Sequence, residues 1–348
     1  MKAAPVLRAL GDHPNVKQTL VHTGQHYDAA MSDVFFQQLE MPQPDCNLGV
    51  GSGTHAQQTA AIMQAFEPVL LERKPDLVLV YGDVNSTVAA ALVCSKLGVR
   101  VGHVEAGLRS GDRSMPEEIN RLVTDQLSDV LFTPSVDGDE NLLREGIDRS
   151  RVHLVGNVMI DTLVRLLPRA EKCFPQTVGE PYILVTLHRP SNVDDLPWLR
   201  ELLATLAELS AHMNVIFPVH PRTRQRLESL GEKFAAQIQL LSPLPYLEFL
   251  ALQHRAALVI TDSGGIQEET TFLGVPCLTV RENTERPITI TEGTNQLIGR
   301  DLKKLRSAAD ETLKTSEGKR REPDTRRVPL WDGHAAERIA HIIVRASA

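Results

Sequence analysis

The strongest constraint on the fold of this chain is an alternation of apolar runs and a helical segment in its first third. The run DLVLVY at residues 76–81 is almost continuously apolar and stops at Gly82, and residues 99–104 repeat the pattern. Residues 84–97 between them have the composition of a helix that ends before Gly98. A strand, a helix and a second strand in this order predict two parallel strands of an α/β sheet.

Two acidic residues follow these predicted strands, and a third opens the next helix. Asp83 comes after the first strand and Glu105 after the second. Glu117 stands next to Pro116, which is well suited to open a helix. Because ligands of parallel sheets bind outside the carboxyl ends of the strands, we expect Asp83 and Glu105 to reach the same crevice. The structural alternative is that Asp83 caps the following helix and Glu117 favours a helix N-terminus.

Composition places the chain among ordinary globular proteins that are long enough for two domains. It has 348 residues, of which 42% are hydrophobic and 23% are charged. With no apolar run of membrane-spanning length and no secretory signal pattern, we expect a cytoplasmic protein without a membrane partner. The formal charge of -7 argues against nucleic-acid binding. Scattered spacing favours reduced thiols over disulfides or a zinc site for the four cysteines, Cys46, Cys94, Cys173 and Cys277.

A second alternation begins behind a proline-containing stretch at residues 166–181, which is the predicted linker. Residues 182–187, 214–219 and 257–261 have the pattern of strands, and residues 196–209 that of a helix. The segments behind the three strands are cationic or glycine-rich, namely His188-Arg189, His220-Pro221-Arg222-Thr223-Arg224 and Asp262-Ser263-Gly264-Gly265. We therefore predict two doubly wound α/β domains that face each other across a cleft.

Ser263, Gly264 and Gly265 precede a segment compatible with a helix and predict a phosphate site. Small residues let a phosphate approach the backbone, and the free amides of a helix N-terminus hold it. Glu269, about one turn into the helix, is placed to accept hydrogen bonds from ribose hydroxyls. The spacing is neither the GxGxxG of dinucleotide enzymes nor a P-loop. An ordinary glycine turn into a helix is the structural alternative.

Two of the 12 histidines stand at the ends of apolar strands with an arginine close behind. His188 is followed by Arg189, and His220 by Arg222. Both histidines are predicted to bind phosphate or to act as acid-base groups. Neither has the HExxH spacing or a cysteine partner, so no metal site is expected. His103 and most other histidines are assigned structural roles.

Seven ordered sequence blocks are spread over nearly the whole chain. They are GDVNSTVAAALV (82–93), HVEAGLRSGDRSMPEEINR (103–121), GNVMIDTL (156–163), TLHRPSN (186–192), PVHPRTR (218–224), TDSGGIQEET (261–270) and NTERPITITEGTNQLIG (283–299). In this order they resemble the non-hydrolysing UDP-N-acetylglucosamine 2-epimerases. The resemblance implies a glycosyltransferase-B type fold with Rossmann-like domains over residues 1–166 and 167–330, and a helix in residues 331–348 that returns to the first domain. It further implies a UDP-sugar substrate, a homodimer and no cofactor.

The resemblance also implies a reaction, the interconversion of UDP-N-acetylglucosamine and UDP-N-acetylmannosamine for cell-surface polysaccharide synthesis. Departure of UDP from C1 acidifies H-2 and allows elimination to 2-acetamidoglucal, after which C2 is protonated on the opposite face and UDP adds back. By position, Glu105 and Glu117 are expected to move protons at C2, with Asp83 positioning the sugar or sharing in that transfer. His188 matches the functional histidine of the family. The residues expected to hold UDP are Lys2, Arg189, His220, Ser263, Gly264, Gly265, Glu269, Arg281 and Arg286.

The start of the chain departs from the family pattern. Family members begin with a strand and a GTRPE-type loop, whereas this chain opens with MKAAPV at residues 1–6. We expect the first strand and the loop arginine to be absent, which would leave unpaired backbone groups and an exposed apolar strip in the first domain. Either a start site assigned too late or an impaired protein would account for this difference.

Three other functions stay open from the sequence. A hydrolysing epimerase would release UDP and free N-acetylmannosamine. A related epimerase would act on a modified sugar such as a UDP-2,3-diacetamido uronic acid. A UDP-sugar binding protein without turnover, or a glycosyltransferase of the same fold, would belong to a different class. Simple binding is disfavoured because a carboxylate cluster beside an anionic ligand costs binding energy unless chemistry uses it.

Overall fold

The computed structural model describes residues 1–24, 36–219, 221–229, 238–316 and 328–346. The helices with defined bounds are α1 (Ala3–Gly11), α2 (His55–Arg73), α3 (Asn85–Leu97), α4 (Pro116–Leu127), α5 (Val136–Arg144), α6 (Val158–Ala170), α7 (Pro190–Val193), α8 (Leu196–Leu209), α9 (Pro221–Ser229), α10 (Tyr246–Arg255), α11 (Gly264–Leu273), α12 (Ile288–Thr291), α13 (Leu302–Ser316) and α14 (Ala335–Ala346). The strands are β1 (Val21–His22), β2 (Cys46–Asn47), β3 (Leu77–Tyr81), β4 (Arg100–Val104), β5 (Val130–Thr133), β6 (Val152–Leu154), β7 (Tyr182–Thr186), β8 (Asn214–Pro218), β9 (Gln239–Leu241), β10 (Leu258–Thr261), β11 (Cys277–Thr279) and β12 (Asn295–Leu297).

Both predicted alternations are confirmed. The first consists of β3, α3 and β4, and the second of β7, α8, β8 and β10, each within a residue or so of its expected bounds. All the strand pairs among the described residues are parallel. The chain forms two compact units. Unit 1 is Met1–Thr162 with Pro329–Ala348, and unit 2 is Leu163–Val328, so the boundary falls inside α6.

The sheet of unit 2 has six strands in the order β9-β8-β7-β10-β11-β12. On one side of the centre, β7, β8 and β9 follow one another towards the edge. On the other side, β10, β11 and β12 do the same in the opposite direction. Such a reversal creates a crevice at the carboxyl ends of the two central strands, where doubly wound proteins bind ligands. Thr186 on β7 pairs with Thr261 on β10. The sheet thus brings the segments that begin at Leu187 and Asp262 side by side.

Helices cover both faces of this sheet because successive strand residues point to opposite sides. Ile183 on β7 belongs to an apolar cluster with Leu202 of α8, whereas its neighbour Leu184 belongs to a second cluster with Leu252 of α10. All four side chains are fully buried. Burying an aliphatic side chain of this size stabilises a fold by about 1.5–3 kcal/mol, so these layers hold the strand ends in place.

The sheet of unit 1 is in two pieces. Four strands follow one another as β3-β4-β5-β6, while β1 and β2 form a separate pair. Within the described residues, β3 is hydrogen-bonded to β4 and lies at an edge of its sheet.

The C-terminal helix α14 packs in unit 1. Ile339 and Ala340 of α14 share an apolar cluster with Val6 and Leu10 of α1. The carboxylate of Asp161 accepts hydrogen bonds from the first two backbone amides of α14, at 3.1 and 2.7 Å. Side-chain acceptors of this kind satisfy the free N–H groups at a helix start.

In the part of the chain that the structure describes, no helix combines the length and the apolarity needed to cross a bilayer.

Candidate active site

The first set of candidate residues follows the strands of unit 1. Gly82, in the left-handed region at φ 66°, donates its N–H to the carbonyl of Val104 at 3.1 Å. Glu105 is also left-handed, at φ 75°, although it carries a side chain. The amides of Glu105 and Ala106 both donate to the carbonyl of Phe132, at 3.1 and 3.0 Å. A non-glycine residue in this conformation costs about 1–3 kcal/mol and persists where the surroundings enforce it, commonly at functional sites.

Lys2 lies against this pair of strand ends. Its Nζ is 2.5 Å from Oε2 of Glu105, whose side chain is buried. A Cβ atom added to Gly82 would be only 2.6 Å from the same Nζ, so a side chain at position 82 would displace the lysine. The structure therefore places Lys2, predicted to hold the nucleotide, in an ion pair with a predicted catalytic carboxylate.

Asp83 is held by an arginine of α4. Its Oδ2 accepts a hydrogen bond of 2.5 Å from Nη1 of Arg121, which is almost fully buried. The same guanidinium donates to Oε2 of Glu118, and that carboxylate accepts the backbone N–H groups of Ser110 and Gly111. Burial alone would raise the pKa of Glu118, but these hydrogen bonds and the charge of Arg121 hold it below its ordinary value.

The capping role considered for Asp83 is wrong. The N-cap of α3 is Val84, and the Asp83 carboxylate pairs with Arg121 instead.

Glu117 and Glu118 are adjacent on α4 but differ in burial and in contacts. Glu118 is buried and anchors the preceding loop, whereas Glu117 is half-buried and makes no hydrogen bond or ion pair with the residues the structure describes. Glu117 lies one helical turn before Arg121, so it projects from the same side of α4.

His188 in unit 2 is fixed by an aspartate that the sequence did not single out. Nδ1 of His188 lies 2.9 Å from Oδ1 of Asp262, and the backbone amides of His188 and Arg189 donate to the same carboxylate. Asn192 adds a further hydrogen bond of 3.0 Å. The His188 side chain is 57% exposed, so its ring can contact a ligand while Asp262 fixes one nitrogen.

Asp262 itself is completely buried. Burial alone would raise the pKa of Asp262. The hydrogen bond and charge of His188, with the hydrogen bonds from Asn192 and the Arg189 backbone, hold that pKa below its ordinary value. The signal that could have identified it is its position. It directly follows β10, the strand that neighbours β7 across the reversal in strand order.

The predicted phosphate segment forms the start of α11. Ser263 is its N-cap, with an extended backbone and no capping hydrogen bond from its hydroxyl to the described residues, and Gly264 is the first helical residue. A Cβ atom on Gly264 would lie 2.4 Å from Nη1 of Arg286 and 2.6 Å from Oε1 of Glu285. Glycine at this position therefore admits the side chain of Arg286, besides leaving the helix terminus open.

Arg281 and Arg286, both predicted to contact UDP, are buried and paired with acids. Nη2 of Arg281 is 2.7 Å from Oε2 of Glu285, and Nη1 of Arg286 contacts the other oxygen of that carboxylate. Nε of Arg286 is 2.9 Å from Glu268. Although burial opposes it, the two guanidinium groups hold the pKa of Glu285 well below its ordinary value. Nη1 of Arg281 has no hydrogen-bond partner among the described residues and remains able to bind an acceptor.

Glu269 lies in the middle of α11. Its Oε1 accepts a hydrogen bond of 2.7 Å from the hydroxyl of Tyr246, and the side-chain amide of Gln253 stabilises the charged form of the same buried carboxylate. Burial raises the pKa of Glu269 to about 7. His220, the remaining predicted UDP contact, lies outside the described residues.

Comparison with known proteins agrees with this arrangement. Residues 8–344 match the profile of the family described as UDP-N-acetylglucosamine 2-epimerase. The UDP-N-acetylglucosamine 2-epimerase of Methanococcus maripaludis is 42% identical, over 99% of this chain and 94% of that protein. The UDP-2,3-diacetamido-2,3-dideoxy-D-glucuronate 2-epimerase of Pseudomonas aeruginosa is also 42% identical, over 99% of this chain and 96% of that protein.

A solved structure adds a match in three dimensions. The crystal structure of Methanocaldococcus jannaschii UDP-GlcNAc 2-epimerase in complex with UDP-GlcNAc and UDP has a TM-score of 0.88 to this chain. The two are 42% identical, and the match covers 99% of this chain and 96% of that one. A profile match over nearly the whole chain, with relatives at this level of identity, establishes that the chain belongs to the UDP-N-acetylglucosamine 2-epimerase family.

Proposed function

We propose that this chain interconverts UDP-N-acetylglucosamine and UDP-N-acetylmannosamine by eliminating UDP and adding it back. The observation that carries the proposal is its 42% identity to the M. jannaschii epimerase, whose crystal structure contains UDP-GlcNAc and UDP. Acidic groups at the strand ends of unit 1, and His188 beside the strand reversal of unit 2, support it.

The chemistry explains why both kinds of group are needed. H-2 of the sugar is not next to a carbonyl, so its direct removal is difficult. When the C1–O bond to UDP breaks, positive charge develops on C1 and the ring oxygen, which acidifies H-2. A base then removes H-2 to give 2-acetamidoglucal and UDP. An acid protonates C2 from the opposite face, and the UDP oxygen rejoins C1.

We assign the proton transfers at C2 to Glu105 and Glu117. Lys2 contacts one carboxylate oxygen of Glu105, and the enforced left-handed backbone at this position fixes where the side chain begins. Glu117 lies on α4, whose Arg121 also holds Asp83. Asp83 is then a group that positions the sugar.

We assign the binding and stabilisation of the departing diphosphate to groups of unit 2. His188 and Arg189 supply cationic or polar donors, and Ser263 and Gly265 supply a hydroxyl and a helix-terminal amide. The Asp262 carboxylate holds His188 and Arg189 together through their backbone amides. Glu269, on the helix that Gly264 opens, accepts a ribose hydroxyl. The other UDP contacts proposed are Gly264, His220, Arg281 and Arg286.

The test is exchange of the C2 hydrogen with solvent. The purified chain is incubated with UDP-N-acetylglucosamine in deuterated buffer, and deuterium at C2 is followed by NMR. Removing one acid-base group costs about 10²–10⁴-fold in rate, so we expect Glu117→Gln to lose at least about 100-fold in exchange. UDP should still bind this variant by calorimetry. The exposed Glu72→Gln variant is the matched control and should exchange normally.

Unchanged exchange in Glu117→Gln would remove its acid-base role. Release of free N-acetylmannosamine would instead indicate a hydrolysing epimerase. Bound UDP with no exchange by the unmodified chain would indicate a binding protein.

A second candidate substrate has its own support. The P. aeruginosa relative that is named for UDP-2,3-diacetamido-2,3-dideoxy-D-glucuronate is as similar to this chain as the relative from M. maripaludis. Values of kcat/KM for the two UDP-sugars, measured side by side, decide between them. A preference of tenfold or more for the uronate, about 1.4 kcal/mol, would overturn the first assignment.

We also propose a cytoplasmic homodimer. All four cysteines are free thiols in the structure, which is typical of a reducing compartment. Light scattering should give about twice the chain mass of 38.5 kDa. A mass equal to that of one chain would contradict the dimer.

A further inference from the structure

Asp125 is a buried carboxylate of α4 that the proposed chemistry does not use. It is completely buried and accepts three hydrogen bonds from two different segments. Oδ1 lies 2.6 Å from Nδ1 of His103, and Oδ2 accepts the amide of Gly107 at 3.1 Å and lies 2.7 Å from Nη2 of Arg109. The three donors therefore converge on one side chain.

His103 on β4 extends this network to the neighbouring strand end. Its Nε2 lies 2.9 Å from the carbonyl of Gly82, while its Nδ1 faces Asp125. A carbonyl can only accept, and a carboxylate that already binds Arg109 and an amide can only accept as well. Both ring nitrogens of His103 therefore face acceptors, and the buried imidazole bridges the Gly82 carbonyl and the Asp125 carboxylate.

The network touches the backbone on both sides of the candidate carboxylates. Gly82 immediately precedes Asp83, His103 is two residues before Glu105, and Gly107 is two residues after it. The helix that carries Asp125 also carries Glu117 in its first turn. A shift of Asp125 would thus move the loop after β3 and the loop after β4 together, relative to the start of α4.

We propose that Asp125 and His103 are positioning residues that set the spacing of Asp83, Glu105 and Glu117. The inference rests on the proposed function, because the spacing matters only if these acids act on one sugar. A misplacement of about 1 Å costs on the order of 100-fold in rate. The left-handed backbone of Glu105 also needs a neighbourhood that enforces it. The competing explanation is that the pair only stabilises the fold.

The test compares variants that break different links of the network. Asp125→Asn removes the anion that gathers His103, Gly107 and Arg109. His103→Asn keeps a donor in the place of Nδ1 but does not reach Gly82, whereas His103→Gln places its amide where Nε2 stood. Asp139→Asn is the matched control. It is also a buried acid of unit 1, but it binds Thr133 and Arg149.

We expect Asp125→Asn and His103→Asn to lower kcat for C2 epimerisation by about 100-fold. Their affinity for UDP should stay within about threefold of that of the unmodified protein. His103→Gln should retain most of the rate. Asp139→Asn should lower the melting temperature but keep kcat within about threefold of the unmodified protein. A kcat loss in Asp139→Asn equal to that in Asp125→Asn would overturn the inference. So would unchanged kcat in a folded Asp125→Asn protein, or equal rates for the two His103 variants.

Crystal structures of the His103 variants supply a readout that does not need activity. We expect Gly82 and the Asp83 carboxylate to shift by about 0.5 Å or more in His103→Asn, but not in His103→Gln. Unmoved loops in both variants would overturn the positioning role even if the unmodified chain proved inactive. Inactivity of the unmodified chain would contradict the proposed function alone. If Asp125→Asn fails to fold, the pair of His103 variants decides the question.

Discussion

At the scale of single residues, most candidate side chains are held by partners far away in sequence. Asp83 is held by Arg121, and His188 is held by Asp262. In both cases the holding partner, Arg121 or Asp262, is a nearly fully buried charged side chain, and an unpaired charge in that position would be expensive. These pairs fix the position of a functional side chain at the cost of desolvating its partner.

Glu269 gives a prediction at this scale, because its pKa is about 7 in the folded chain and 4.5 in the unfolded one. The folded state therefore binds the proton more tightly. The resulting stability is complete below pH 4.5 and is lost as pH rises to about 7, by an amount on the order of 3 kcal/mol. We expect Glu269→Gln to flatten this slope when the free energy of unfolding is measured by urea titration between pH 5 and 8. An equal slope in both proteins would contradict the buried carboxylate as its source.

At the scale of elements, the candidate residues Glu117 and Gly264 each stand at the start of a helix. Pro116 opens α4 and so places Glu117 in its first turn, and Gly264 opens α11 beside Arg286. These junctions were predictable because proline, glycine and serine have restricted or unusual backbone preferences that act locally. Their partners were not, because ion pairing between elements leaves no local pattern.

The start of α14 yields a prediction at this scale. Asp161 accepts the amides of Ala335 and Ala336, so Asp161→Ala leaves two helix-terminal donors without a side-chain acceptor. Loss of such a cap costs about 0.5–2 kcal/mol. We expect a lower melting temperature and earlier proteolysis of the C-terminal helix. Glu337→Gln, an exposed acid in the same first turn, is the control and should change little.

At the scale of the whole molecule, each unit has its own core and its own sheet. The unit 2 sheet joins residues 187–189 to residues 262–265, more than 70 positions apart, because β7 and β10 are neighbours in its centre. The nucleotide groups proposed for this unit thus depend on its tertiary fold as a whole.

UDP binding should therefore stabilise this fold measurably. A ligand that binds only the folded state adds about 2.7 kcal/mol when its free concentration is 100 times Kd. We expect UDP to raise the melting temperature in calorimetry, and His188→Ala to reduce the rise at equal UDP concentration. A rise of the same size in the absence of the histidine would contradict its place in the diphosphate site.

The sequence by itself determined the alternation of strands and helices, the acids behind β3 and β4, and the glycine-rich entry to α11. These follow from hydrophobic periodicity and from the backbone preferences of proline and glycine, which act over a few residues. Only the tertiary structure decided which acidic side chains are paired with other residues of the fold and which stay available to a ligand. Glu118 and Glu117 are neighbours of the same type, yet one is buried on Arg121 and the other is half-buried. Burial and pairing depend on packing between distant elements, and that packing also selected Asp262, Glu285 and Asp125.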